Sequence, residues 1–451
     1  MSSSEFLTPQ GSPTTTPRTS RTQYAALPDD EEADSDHLSD NVLDEARPTG
    51  TFGSSCVNIC NTILGSGMLA MPSAIAGVGL GLGIILIGLS GAASAFGLIL
   101  LTRVAAQVGR SSSFNACAKR TYPNAAVFFD VAIAVKCFGV SVSYLVICGD
   151  LLPKVVEGFA PGTPQDSILR TKLFWISLSL LLVSPFCFLS RLDSLRYTSA
   201  FALLSVVYLL LIVVYYFLAP TNDMPPHVPW GDVRWFKVDT AFFGYLPIFV
   251  FAFTCHQNIF AVYNELDDNR PQRITGVILT SVGTAFSVYE TIGILGYLTF
   301  GNEVASNIIG QYPPSPFITG GQLAIALLVL LSYPLQCHPC RASLEKILTH
   351  IRKPETEDLS WTKWVGMTVV IMVGSFGAAV LLKNLATVLA YVGATGSTTI
   401  CYILPGIFYY KLTENTPWNA TRVGAVLLAF TGCVIMATSL GSLMVGGGAG
   451  H

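Results

Sequence analysis

Apolar and polar positions along this chain fall into blocks and do not alternate. A polar opening stretch gives way to a series of long apolar runs separated by short polar connectors. The runs are centred near residues 63, 93, 140, 180, 207, 251, 287, 330, 372, 397 and 432. Several hold almost no charge over roughly 20 residues, the length a helix needs to cross a bilayer. The pattern predicts an all-α polytopic membrane protein with eleven transmembrane helices. The runs near 140, 287, 330 and 397 exceed that length, so those helices are expected to tilt or to run past the bilayer. The longer connectors are 105–125, 153–171, 220–239 and 344–362.

Composition strengthens this reading. Of the 451 residues 51% are hydrophobic and 12% charged, against about 25% charged in an ordinary soluble domain; mean hydropathy is +0.55. A net charge of -3, with basic residues mainly in connectors, argues against a nucleic-acid partner. With the amino terminus in the cytosol, 18 Lys and Arg fall on the cytosolic side and 6 on the other, which predicts that orientation. The sequon Asn419-Ala-Thr421 then faces the cytosol and is expected to be unglycosylated. All of the eleven cysteines but Cys117 lie in apolar runs, a packing usage and not a disulfide framework.

Residues 1–50 are expected to form a disordered cytosolic tail and not a cleavable signal peptide, residues 51–446 the membrane domain, and 447–451 a short flexible end. In the tail, Tyr24 and Leu27 have the spacing of a sorting signal, and Thr8, Ser12 and Thr16 each precede a proline, as kinase targets do. A sorting adaptor or a kinase is therefore a candidate partner, although both patterns are short enough to arise by chance.

Two apolar runs are interrupted. NTILGSGMLAMP (61–72) breaks the first with Gly65-Ser66-Gly67, where each glycine costs about 1 kcal/mol relative to alanine in a helix. Asn58 and Asn61 lie just before it. In FFGYLPIFVFAFTCHQNIFAVYNELDD (242–268) the sixth run carries Cys255-His256-Gln257-Asn258 at its middle. Open backbone at membrane depth is tolerated where it lines a cavity, and a matched pair of interrupted spans points to a transport site. The competing readings are a small-residue packing face for the glycines and a satisfied core histidine for His256. Lys136 and Glu290 also fall inside apolar runs, where an ionisable group is costly and a candidate for function. Cys337-His338-Pro339-Cys340 has redox-motif spacing without the surrounding strand and helix, so packing is the better reading.

The motifs NTILGSGMLAMPSA, FAFTCHQNIFAVYNEL and YPLQCHPCRASLEK, with KCFGVSVSYLVICGDLLP at 136–153, resemble the amino acid/auxin permease family, and within it the fungal vacuolar amino acid transporters, relatives of the sodium-coupled neutral amino acid transporters. The resemblance covers about residues 50–445. It implies the leucine-transporter-type fold, a five-plus-five inverted repeat plus one extra helix; no repeat is visible in the sequence. It also implies a substrate carboxylate at Gly65, Ser66 and Gly67, an amino group near Thr254 and Cys255, and a span-three wall of Val140, Ser141 and Tyr144. A cation site would use Asn61 and Ser332. For proton coupling the residues offer Lys136, Glu290 and His256.

The expected function is secondary active, alternating-access transport of an amino acid, proton-driven from an acidic vacuole or lysosome to the cytosol. Two alternatives stand beside it, a membrane amino acid sensor and sodium-coupled uptake at the plasma membrane. No enzyme activity, metal or organic cofactor is expected. The partners are the amino acid, membrane lipid and a driving ion, either proton or sodium.

Overall fold

The computed structural model describes residues 50–110, 112–189, 198–352, 361–382 and 384–445. The tail residues Thr8, Ser12, Thr16, Tyr24 and Leu27, the final residues 447–451, and Arg191, Arg196, Lys353 and Lys383 of the charge count lie outside them.

The regular elements among the described residues are all helices, and one isolated bridge pairs Gly50 with Leu266. In chain order the helices are α1 (Phe52–Ile63), α2 (Gly67–Val78), α3 (Leu80–Val108), α4 (Phe114–Thr121), α5 (Ala126–Phe159), α6 (Lys172–Cys187), α7 (Thr198–Leu218) and α8 (Phe242–Ala252). They continue with α9 (Ile259–Glu265), α10 (Pro271–Phe300), α11 (Pro316–Arg352), α12 (Trp361–Leu381), α13 (Leu385–Val392), α14 (Leu404–Leu412) and α15 (Ala420–Met444). Nine segments among the described residues are long and apolar enough to cross a membrane. A tenth is obtained if α1 and α2, bent by 53° at their junction, count as one. The apolar helix α6, at 16 residues, is shorter than these.

Helix starts follow their caps. Thr51 and Ser54 form a reciprocal capping box at α1, with Ser54 N–H donating to Thr51 Oγ1 at 3.2 Å and Thr51 N–H to Ser54 Oγ at 2.9 Å. Asn384 and Asn419 cap α13 and α15. Gly79, with φ of +89°, turns α2 into α3 in a conformation that favours glycine, and the backbone of Trp235 lies against it.

Burial sorts the helices. In α5 83% of the apolar window is inside the protein, against 28% in α15 and 33% in α12. The centre of the bundle is thus α5, packed along α11, with α12 and α15 at the periphery facing lipid. The expectation of long helices near 140, 287 and 330 is met by α5, α10 and α11, of 34, 30 and 37 residues. The run near 397 is long for another reason. Between α13 and α14 the chain widens into two π-helical segments, Gly393–Ser397 and Thr399–Ile403. There Gly393 lies against the Pro247 carbonyl of α8, and Gly396 lies against Lys136 and Ala132 of α5. All eleven cysteines are unbridged, and ten of them are buried or partly buried.

Candidate functional site

After Leu64, whose N–H still donates to the Cys60 carbonyl at 2.8 Å, the ladder stops for Gly65 and Ser66. Gly65 N–H turns back to the Ile63 carbonyl at 2.8 Å, and the first bonds of α2, from Met68 and Leu69 N–H, are long at 3.3 Å. Gly67 is required by packing, since a Cβ there would stand 3.0 Å from Ala252 Cα. Gly65 is different, with only the Tyr144 hydroxyl within reach at 4.0 Å.

The apolar segment of α8 and α9 opens as well. After α8 ends at Ala252, residues 253–255 leave the helix, His256–Asn258 make a 3-10 turn, and α9 resumes at Ile259. Its freed groups are met by other spans. Ser94 Oγ of α3 donates to the Phe253 carbonyl at 2.8 Å, and Asn258 Nδ2 donates to Thr62 Oγ1 of α1 at 2.7 Å. The Tyr289 hydroxyl of α10 lies 2.8 Å from the Ala252 carbonyl oxygen and 2.6 Å from that of Ile63. One side chain therefore touches the C-terminal ends of both half-helices.

The two breaks share a cavity. Thr62, Ile63, Gly65, Ser66 and Gly67 form one wall, Phe251 and Thr254 a second, Lys136, Val140 and Tyr144 of α5 a third, and Gln336 of α11 closes it. About 20 Å³ is open to the centre of a water molecule, room for roughly one or two waters. An amino acid does not fit until the walls part. The head of α2, at Gly65 to Gly67, brings the positive end of a helix dipole to the cavity and so favours an anionic group. Lys136 is the one charged residue in the lining. It is 3% exposed, and its ammonium donates to Gln336 Oε1 at 3.3 Å. No described carboxylate pairs with it.

The residues singled out from sequence separate into two groups. Gly65, Ser66, Gly67, Lys136, Val140, Tyr144 and Thr254 line the cavity. Asn61, Ser141, Cys255, His256, Glu290 and Ser332 do not. Ser141 is fully buried and donates to the Cys137 carbonyl of its own helix at 3.1 Å. His256 is also fully buried, beside Gly97 of α3, where an added Cβ would stand 2.9 Å from Nε2; neither ring nitrogen makes a hydrogen bond of normal geometry. Glu290 shares a helix face with the exposed Gly283, Phe286 and Ser287, one turn and two turns away. Its carboxylate oxygens are buried without a hydrogen-bond partner among the described residues. Ser332 lies one turn before Gln336 on the same face of α11, and Gln336 is the residue of that face that reaches the cavity.

Five contributors were not identified from sequence: Gln336, Phe251, Thr62, Ile63 and Tyr289. Gln336 stands inside the YPLQCHPC motif, and a polar residue in that apolar run was the available signal. Tyr289, one residue before Glu290, carried no signal of its own. Ser143 joins them indirectly, with its hydroxyl 3.3 Å from Ser66 Oγ.

A family model described as transmembrane amino acid transporter protein matches residues 48–445. Vacuolar amino acid transporter 5 of Schizosaccharomyces pombe is 42% identical over 399 residues, which cover 85% of this chain and 92% of that protein. Vacuolar amino acid transporter 6 of Saccharomyces cerevisiae is 35% identical over 436 residues, covering 85% and 94%. Sodium-coupled neutral amino acid symporter 2 of Danio rerio is 25% identical over 421 residues, covering 88% and 82%. With a family match over nearly the whole membrane domain and relatives matched along most of their length, the chain belongs to the transmembrane amino acid transporter protein family, a family of transporters and not of enzymes.

Proposed function

We propose that this protein moves amino acids across the vacuolar membrane, out of an acidic lumen and into the cytosol, and that a proton travels with each substrate. The observation that carries the reading is the cavity itself: two broken apolar segments meet on one small space whose charged wall among the described residues is Lys136. Similarity to two vacuolar amino acid transporters supports the membrane and the substrate class.

In this reading the bent pair α1–α2 is span one, α6 is span four, and the total is eleven. Breaks in spans one and six then occupy matching places in two five-span halves, with α15 the additional helix. The excess of Lys and Arg on one side supports a cytosolic amino terminus. Substrate carboxylate docks at the head of α2, near the Lys136 ammonium. A buried ammonium without a carboxylate partner is costly, so an arriving carboxylate favours the protonated lysine, and substrate and proton enter together. Cys137, Cys255 and Cys401 are its ionisable neighbours in this region, and Tyr144 shares the cavity wall.

Transport follows if the walls part first to one side and then to the other. The test is uptake of a panel of radiolabelled amino acids into proteoliposomes of the purified full chain, under an imposed proton gradient and then a sodium gradient. Accumulation under the proton gradient alone, dissipated by a protonophore, is expected. Lys136→Gln should lose the response to the proton gradient and retain counterflow exchange. Saturable amino acid binding with no accumulation under either gradient would instead identify a sensor.

A further inference from the structure

We infer that Tyr289 is a positioning residue that stands where a bridging metal cation would otherwise be needed, its hydroxyl joining the C-terminal ends of the two half-helices. The inference rests on the transport reading and concerns the ion that the same site does not take.

The argument starts from the ends of α1 and α8. Each helix stops with backbone carbonyls that have no partner further along the helix, and each end carries the negative pole of its dipole. In hydrocarbon such groups must be satisfied within the protein. Two negative ends brought together repel each other unless something positive lies between them, and in broken-helix transporters a cation is one solution. Here the Ile63 and Ala252 carbonyl oxygens are both within 2.8 Å of a single phenolic oxygen. The Tyr289 side chain is fully buried, and its ring meets that of Phe253 edge-on with centroids 5.1 Å apart. The packed ring fixes where the hydroxyl sits. The remaining free carbonyl next to it, that of Phe253, is taken by Ser94 Oγ.

The consequence is specific. The hydroxyl has one hydrogen to share between two acceptors, so it holds the half-helices together while leaving each carbonyl only partly satisfied. Removing the oxygen takes the side-chain donor from the Ala252 carbonyl, leaves that of Ile63 with the Gly65 N–H at 2.8 Å, and opens a small space faced by two negative helix ends. Such a space suits a small monovalent cation. The wild-type protein, with the space filled by its own side chain, has no use for sodium there.

Two readouts on purified full-length protein test this. The first is the melting temperature in choline chloride, titrated with NaCl or LiCl at constant ionic strength. The wild type should not respond to either cation, whereas Tyr289→Phe should melt lower and be restabilised saturably by sodium or lithium. The second is proteoliposome uptake, in which Tyr289→Phe in choline should fall by roughly tenfold or more, the effect of leaving a buried acceptor unpaired, and recover in sodium. A loss caused by poor packing alone would not recover in a cation-specific way. Saturable sodium stabilisation of the wild type would overturn the inference, as would a folded Tyr289→Phe protein indifferent to both cations. If that variant does not fold, Tyr289→Gln, which keeps a donor, carries the same readouts, and the wild-type titration decides independently. Melting needs no transport, so a wild type that moves no amino acid under any gradient would defeat the transport reading and leave this one standing.

Discussion

The two broken spans reach the same cavity by opposite means. The first is open because side chains are missing: Gly65 and Gly67 flank Ser66, and Gly67 lets the backbone of α8 come close. The second is open because side chains elsewhere hold it open. Ser94, Tyr289 and Thr62, from three different helices, bond to groups released at residues 252–258. A break of the first kind is written in its own sequence, whereas one of the second kind depends on what packs around it. The two are also coupled, since Tyr289 touches both and Asn258 bonds to Thr62 just before the first break.

The glycine pair gives the largest expected effect that separates the two mechanisms. Gly67→Ala places a Cβ 3.0 Å from Ala252 Cα and 3.3 Å from its Cβ, contacts between backbones that neither helix can relieve by a rotamer change. Overpacking of this kind costs about 1–3 kcal/mol, so transport should fall by roughly tenfold to a hundredfold. Gly65→Ala meets nothing closer than 4.0 Å and should stay within a few fold of wild type in initial uptake rate. Equal loss in both variants would mean that the first break acts through backbone freedom and not through close approach.

A smaller effect is expected at the second break. Asn258→Ala removes the 2.7 Å bond to Thr62, worth about 1 kcal/mol net, and should weaken apparent substrate affinity by about fivefold while sparing the maximal rate. If the breaks are coupled as the geometry indicates, Asn258→Ala combined with Thr62→Val should cost little more than either alone. Additive losses would show that the two spans act independently.

The same contrast explains what could be read from the sequence. Span positions were legible because a bilayer demands long apolar runs, and the first break because glycine and serine interrupt one. Which face of each helix meets the cavity was not legible. A span apolar on every side carries no amphipathic stripe to orient it, so Ser141 was named beside Tyr144, and Ser332 was named where Gln336, one turn further along α11, is the residue that lines the cavity. Only the packed bundle, with α5 at its centre, sets which positions along a span reach the cavity. Tyr289 shows the same limit, because an aromatic residue in an apolar run looks like packing until the carbonyls it touches are known.

The weakest expected effect lies away from the cavity, where the start of α1 is tied to the end of α9. Gly50 N–H donates to the Glu265 carbonyl at 2.8 Å, and Asp267 N–H donates back to Gly50 at 2.9 Å. The Arg110 guanidinium, from the connector after α3, donates to the carbonyls of Asn264, Leu266 and Asp267 at 3.2, 3.0 and 2.9 Å. A cation at the C-terminal end of α9 satisfies its last carbonyls and opposes its dipole. Next to this tie, hydrogen bonds from Arg270 hold the Asp268 carboxyl down to about 2. A carboxylate lowered in this way contributes whatever stability it has above its ordinary value near 3.8 and loses it only as pH falls through about 2. The contact between Asp268 and Arg270 should therefore hold unchanged from neutral pH to mildly acidic pH. Arg110→Ala should speed amide hydrogen exchange at residues 50–56 and 263–267, with an uptake change of about twofold or less, because these bonds are largely exposed to water and exposed charge contacts are weak. A larger transport defect would place the parting of the cavity walls at this tie, and would make the junction of the two broken spans, more than either break alone, the element that sets the rate.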